Sequence, residues 1–360
     1  MKILVIAYCN GNLGDDLFIY ELCNRYPNHT FYLVGNEQYS GLFAECKNLH
    51  YIDQNKKTWR YYAKVRNTIR KVMHNKPDSR MTTIRLRLKK TCDLVVMIGG
   101  SVFIQGENWK AELESRKRLL PGRTVLLGCN YRLANSEEYH KSYIDLLGRV
   151  EDICFRDQAS YEQFKELPNA RFASDILFGV DDRNCKTEDY YILSVIDVTK
   201  KVNKQEYADM YYKRMAECAD LLQKQGQKVI LFSFCEAEGD MAGIASVQSY
   251  MKETGNVEVL NHKNIRQSLD CLKHCKGIIT ARFHGMVLGI QFKKEVYPII
   301  YSDKTTQVLK DIAFSGKYNM IPELEAISAE EICAQLHAGY QVREDRNPEE
   351  QFKALDRILK

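Results

Sequence analysis

No stretch of this 360-residue chain approaches the roughly 20 apolar residues that a membrane-spanning helix requires; runs such as Leu94–Ile98 are far shorter. The sequence has no CxxC pair, no GxGxxG and no P-loop, so zinc-ribbon, dinucleotide and Walker-type nucleotide binding lack their usual carriers. Internal repeats and low-complexity segments are also missing. The opening MKILVIAY has one lysine and a short apolar run with no small-residue cleavage site after it. It reads as the first β-strand of a folded domain, and the expected location is cytoplasmic.

What is present describes a globular enzyme-sized protein. Hydrophobic residues at 45% and charged residues at 28% leave enough apolar side chains for two α/β cores at this length. The twelve cysteines are scattered singly through apolar contexts (Cys9, Cys92, Cys129, Cys154, Cys235), as expected of buried, reduced thiols. In CLKHC (271–275) the two cysteines stand four apart, and a metal would need further ligands from elsewhere. The segment reads as a helix with two buried thiols, and no metal is expected.

The net charge of +5 conceals an asymmetry. Residues 56–90 hold thirteen Lys or Arg and a single acid, Asp78, so this segment carries +12 and the remainder −7. Within it Trp59, Tyr62, Val65, Ile69, Val72 and Met73 recur at helical spacing among the cations. Two readings stand side by side: a solvated helix packing by its apolar stripe, and a helix attracted to an anionic membrane surface. No nucleic-acid-binding module surrounds the segment, and no nucleic acid partner is expected.

Short apolar runs alternate with helical stretches along nearly the whole chain. Strand candidates are 2–8, 30–35, 49–53, 93–100, 124–130 and 152–157, then 190–196, 228–234, 257–261, 277–281 and 296–301. Runs of this kind indicate buried parallel strands in doubly wound sheets. The polar stretch 179–189 divides them. The expected fold is α/β, with two Rossmann-like domains facing a cleft: 1–180, which includes the basic segment 56–90, and 186–325. The charged, amphipathic helices of 326–360 are expected to pack back on the first domain.

Four short motifs stand at strand ends, where ligands bind in such folds. Gly11, Asn12 and Gly14 in GNLGDDL allow a tight turn and could present backbone N–H groups to an anion; the plainer reading is a βα turn capped by Asp15 or Asp16. Gly99, Gly100 and Ser101 end another strand and suit either a ligand across the backbone or close helix packing. Arg156 and Asp157 follow a third strand, as an anion site or a surface ion pair. Arg282 and His284 in TARFHG combine an anion clamp with a group that exchanges protons near neutral pH.

In this order the motifs resemble the polysaccharide pyruvyl transferase family. The likeness rests on Gly11-Asn12-Leu13-Gly14-Asp15, Gly99-Gly100-Ser101, Arg156-Asp157 with Ser160, Arg282-Phe283-His284, and Pro298, Tyr301 and Lys304. It spans about residues 1–310. Ser101 stands where a third glycine is usual, and Asp175 begins an element in which isoleucine replaces proline.

The resemblance implies a fold similar to GT-B glycosyltransferases and transfer of pyruvate from phosphoenolpyruvate, as a cyclic ketal, onto two hydroxyls of a sugar. The implied acceptor belongs to a capsular, exopolysaccharide or other cell-surface glycan, often lipid-linked at the cytoplasmic face. No cofactor is implied beyond phosphoenolpyruvate as donor substrate. Arg156 and Arg282, with Lys304, are then the expected donor-binding cations and His284 the general acid/base. Asp15 is expected to orient or deprotonate a sugar hydroxyl. A nucleotide-sugar glycosyltransferase using Glu236 or Glu238 to grip a ribose is the alternative. A non-catalytic glycan-binding protein is the third reading.

Overall fold

A computed structural model describes residues 1–132, 136–183, 185–201 and 205–360. Residue 184, inside the polar stretch 179–189, lies outside the described residues. The chain forms two compact units. Unit 1 comprises Met1–Asn10, Asp15–Ile176 and Asn347–Lys360; unit 2 comprises Gly11–Gly14 and Leu177–Arg346.

Unit 1 runs β1 (Lys2–Ile6), α1 (Leu13–Arg25), β2 (Thr30–Gly35), β3 (Leu49–Asp53), α2 (Lys57–Val72) and α3 (Arg80–Lys89). It continues with β4 (Leu94–Ile98), α4 (Trp109–Leu119), β5 (Gly122–Cys129), α5 (Glu137–Leu147), β6 (Val150–Phe155), α6 (Gln158–Glu162) and β7 (Ala170–Phe172). The sheet order is β3-β2-β1-β4-β5-β6-β7, with every pairing parallel. On one face Leu4, Val95, Leu126 and Ile153 are buried with Leu113, Tyr139, Tyr143 and Leu147 from the helices. Removing these side chains from water is the main term holding the layers together.

Unit 2 repeats the plan with β8 (Tyr190–Ser194), α7 (Ala208–Lys224), β9 (Lys228–Ser233), α8 (Asp240–Tyr250), β10 (Val257–Asn261) and α9 (Ile265–His274). Then come β11 (Gly277–Thr280), α10 (Phe283–Gln291), β12 (Glu295–Ile300), α11 (Asp303–Asp311), β13 (Asn319–Met320) and α12 (Ala329–His337). The order is β10-β9-β8-β11-β12-β13, again all parallel. Both sheets are therefore doubly wound, and their strand order reverses beside the first strand of each unit. These are two Rossmann-like domains of the kind found in GT-B folds. Among the described residues no helix is long and apolar enough to cross a membrane.

All eleven strand candidates are strands, but several end earlier than their apolar pattern. The chain leaves β4 at Ile98, β6 at Phe155 and β11 at Thr280, so Gly99, Arg156 and Arg282 belong to the loops. The short β7 and β13 escaped because two or three half-buried edge residues give no alternation to read.

The helical segment 326–360 does not pack as one piece. Ile332 and Leu336 of α12 belong to the unit 2 core. Only the last residues, with α13 (Lys353–Leu359), join unit 1. Fully buried Gln351 accepts from the Gly128 N–H at 2.8 Å and donates to the carbonyl of Ala173 at 2.9 Å. Asp356 accepts from Arg25 Nη2 at 2.8 Å and from the Tyr26 hydroxyl at 2.7 Å.

Candidate active site

The sequence-predicted residues gather into two groups, one in each unit. In unit 2 the ends of β8, β9, β11 and β12 supply the first. Thr280 Oγ1 accepts from the Arg282 N–H at 3.0 Å and donates to the Arg282 carbonyl at 3.1 Å, which fixes the backbone where β11 turns into α10. Arg282 is the residue before the helix, with φ −87° and ψ 127°, and His284 falls in its first turn.

Arg282 was expected to clamp an anion, but its guanidinium is already held by two carboxylates. Nε donates to Asp240 at 3.0 Å, Nη2 donates to the other oxygen of Asp240, and Nη1 donates to Glu238 at 2.6 Å. Three of its five N–H donors are thus engaged. Asp240 is fully buried and also accepts from the backbone N–H groups of Phe234 and Cys235, at 3.0 and 2.9 Å. Burial opposes the charge on Arg282, yet Asp240 and Glu238 outweigh it and hold the guanidinium above its usual range. Burial likewise works against ionised Glu238, but Arg282, Lys201 and the hydrogen bond from Asn12 bring its carboxyl down to about 2. The guanidinium of Arg282 is thus a paired group at the edge of the unit 2 core.

Two further cations stand beside this group, Lys304, expected with Arg156 and Arg282 to bind the donor, and Lys201. Lys304 Nζ stands 5.8 Å from the Tyr301 ring centre and 5.7 Å from that of Phe283. Lys201, from the loop after β8, stands 5.2 Å from the Tyr301 ring and 3.7 Å from Glu238. Burial would raise the Tyr301 phenol, but Lys304, Arg282 and Lys201 together lower it below its ordinary value. Sequence reading found Lys304 and missed Lys201, which has no motif around it. Its position after β8, the strand beside which the order reverses, was the available signal.

Gly11, Asn12 and Gly14 join this group. Gly11 takes a left-handed φ of 69°. The Leu13 N–H donates to the Phe234 carbonyl at 3.0 Å, and Asn12 Nδ2 donates to Glu238 at 3.1 Å. A Cβ on Gly14 would fall inside the His284 imidazole, so glycine is what lets the ring lie against this backbone. The two aspartates that follow are within the first turn of α1 and do not precede it, where acidic groups favour the helix dipole.

The second group lies in unit 1. Arg156 is 3% exposed and pairs with fully enclosed Asp175 at 3.0 Å; it also donates to Asn130 Oδ1 at 3.2 Å. Gly100 passes over it so closely that a Cβ there would collide with the guanidinium. Arg156 therefore props the glycine turn from beneath and is itself buried. Asp157 is buried and not at the surface, and it caps α6, accepting from the Ser160 N–H at 2.7 Å and hydroxyl at 2.8 Å. Gly99 has φ 130°, and a Cβ there would lie 3.3 Å from Asp15 Oδ1. Ser101 is exposed. Among the described residues no group of three or more His, Cys, Asp or Glu is arranged around a common point.

The family model for polysaccharide pyruvyl transferase matches residues 12–303. This chain belongs to the polysaccharide pyruvyl transferase family. The match runs from the Asn12 turn through both glycine-lined groups to the first residue of α11, just before Lys304, and membership makes the protein a transferase of polysaccharide biosynthesis. Comparison with curated sequences gives no match. Among solved structures the chain is similar in fold to the UDP-GlcNAc 2-epimerase of Methanocaldococcus jannaschii in complex with UDP-GlcNAc and UDP, at 10% identity. That alignment has a TM-score of 0.60 and covers 100% of this chain and 99% of that one. Anabaena Alr3699/HepE, in complex with UDP and glucose, aligns at 10% identity and a TM-score of 0.51, covering 100% and 99%. At such identities the likeness concerns the fold alone. In this pyruvyl transferase family member, the motif residues Arg156, Asp175 and Arg282 are buried, whereas His284 and Lys304 are half-buried, as is Lys201 outside the motifs.

Proposed function

We propose that this transferase moves pyruvate from phosphoenolpyruvate onto two hydroxyls of a sugar in a cell-surface glycan precursor, forming a cyclic ketal and releasing phosphate. The observation carrying this reading is the placement of Lys201 and Lys304 around Tyr301 beside the β11–α10 turn that bears His284. A donor with both a carboxylate and a phosphate needs fixed cations: Lys304 suits that better than the doubly paired Arg282, and Lys201 shares Glu238 with that arginine at 3.7 Å. Arg282 then holds Glu238 and Asp240 in place.

The chemistry requires a proton for the methylene carbon of the donor, attack by one hydroxyl on the adjacent carbon, loss of phosphate, and attack by the second hydroxyl. His284 carries the protons in this scheme: it donates one to the methylene and accepts one from a hydroxyl, so it returns to its starting state, while the proton of the other hydroxyl leaves on the released phosphate. Asp15 orients or deprotonates a hydroxyl. The acceptor is a lipid-linked sugar of a capsule or exopolysaccharide, met at the cytoplasmic face of the membrane. No step calls for a resident cofactor or metal.

A nucleotide-sugar glycosyltransferase finds less support, because Asn12 and Arg282 occupy both oxygens of Glu238 and Glu236 pairs with Lys263. A non-catalytic glycan binder gives no reason for the close fit of His284 to Gly14. The test is phosphate release from phosphoenolpyruvate with a lipid-linked oligosaccharide, coupled to mass spectrometry of the glycan. Gain of a pyruvate ketal is expected. Stabilisation by UDP or GDP sugars but not by phosphoenolpyruvate would overturn the reading.

A further inference from the structure

Helix α2 is amphipathic in the usual pattern but mounted the opposite way round. Tyr61, Val65, Ile69 and Val72 recur every three or four residues and so form one stripe along the helix. On a soluble domain such a stripe normally turns inward. Here Tyr61 is 72% exposed, Val65 40%, Ile69 46% and Val72 75%, and Met73 beyond the helix is 65% exposed.

The side that meets the protein mixes aromatic, small and polar groups, with Trp59 and Tyr62 half-buried. Ala63 is buried against the unit. Asn67 donates to the Asp78 carbonyl and accepts from the Asp78 N–H, both at 2.9 Å. Arg70 donates to the Lys76 carbonyl at 2.9 Å and lies 3.3 Å from the Asp78 carboxylate. Hydrogen bonds therefore hold the helix by its back, and its apolar stripe faces away from unit 1.

Charge identifies what the stripe meets. From Lys56 to Pro77 there are eight Lys or Arg and no acidic residue. Lys57, Lys64 and Lys71, spaced seven apart, follow one flank of the stripe, and Arg66 stands on the other. Among the described residues, none of these four is within ion-pair distance of a carboxylate. Two copies of α2 facing each other would bring two such cationic sets together, which opposes self-pairing. A polyanion such as RNA would satisfy the lysines and leave valine and isoleucine in water. An anionic bilayer satisfies both: headgroup phosphates take the lysines, and the acyl boundary takes the stripe.

We infer that α2 is a membrane-surface helix that docks unit 1 on an anionic leaflet, lying in the headgroup plane with Val65, Ile69 and Val72 inserted. This goes beyond the reading of the reaction and does not depend on it.

The test is co-sedimentation of the full chain with phosphatidylcholine vesicles containing phosphatidylglycerol, against pure phosphatidylcholine. Binding at low salt should be at least about tenfold stronger on the anionic vesicles and weaken with added salt. The triple variant Val65→Ser, Ile69→Ser, Val72→Ser and the triple variant Lys57→Glu, Lys64→Glu, Lys71→Glu should each lose about tenfold or more in partitioning. Because the altered side chains face solvent, thermal melts should match wild type and exclude misfolding. No partition onto anionic vesicles at low salt overturns the inference, as does full retention by the serine variant. Vesicle-independent dimerisation that the serine variant abolishes would overturn it in favour of a second copy. Partitioning needs no turnover, so it can fail while pyruvyl transfer stands, or hold while that fails.

Discussion

The imidazole of His284 occupies the space that any side chain on Gly14 would need. Two motifs separated by 270 residues are therefore one feature: the glycine of the first turn is the wall against which the histidine is set. Gly14→Ala should displace the ring and lower phosphate release from phosphoenolpyruvate by about 100-fold, in the range lost when a general acid/base is misplaced. His284→Ala should lose at least as much. Normal turnover in His284→Ala would remove the histidine from the mechanism.

Lys201→Ala and Lys304→Ala should each raise the KM for phosphoenolpyruvate by about 10-fold, roughly one charge-assisted hydrogen bond. Melting temperatures should barely change, because both are lysines at the edge of the group. Steady-state kinetics with the donor varied reads this directly.

Arg282→Ala is expected to behave differently. It leaves Asp240 buried without its cation, which costs about 3–5 kcal/mol of folding stability. Chemical denaturation should therefore register the change in unit 2 before any kinetic constant is interpreted. Arg156→Ala should act in the same way on unit 1 by stranding Asp175, and Arg156→Met with Asp175→Leu should recover part of the loss.

Glu238 provides a pH test. Its carboxyl in the folded protein is held at about 2, below the 4.5 of an unperturbed glutamate. A depressed folded value gives stability that is complete above the unfolded value and is lost as pH falls from about 4.5 towards 2. Glu238→Gln should lower stability between pH 6 and 8 and flatten the acid limb across that window, so that variant and wild type converge towards pH 2. Denaturation midpoints measured from pH 2 to 8 would reveal an unaltered slope if the pairing were unimportant.

The C-terminal segment offers a fifth check. Asp356→Asn removes the pair with Arg25 and should cost about 2 kcal/mol, the scale of a hydrogen bond to a charged group. Limited proteolysis should then cut within residues 347–360 sooner than in wild type.

The sequence by itself determined the local pattern. Apolar runs of four to six residues between helical stretches announced parallel strands and two doubly wound sheets, because a strand buried on both faces has no polar alternation. The order of GNLGD, GGS, RD and RFH was specific enough to indicate the family. What it could not determine was which cations are already spent. Arg282 and Arg156 read as anion clamps because a motif gives residue types, whereas their carboxylate partners, Asp240 with Glu238 and Asp175, come from other loops. Only folding brings those partners within hydrogen-bonding distance. The same holds for Lys201, which gains significance from the Tyr301 ring a hundred residues away, and for α2. Its periodicity was legible, but periodicity carries no sign. That the stripe of Tyr61, Val65, Ile69 and Val72 faces solvent shows only in the fold, where Ala63 is buried and Asn67 and Arg70 bond the following loop on the opposite side.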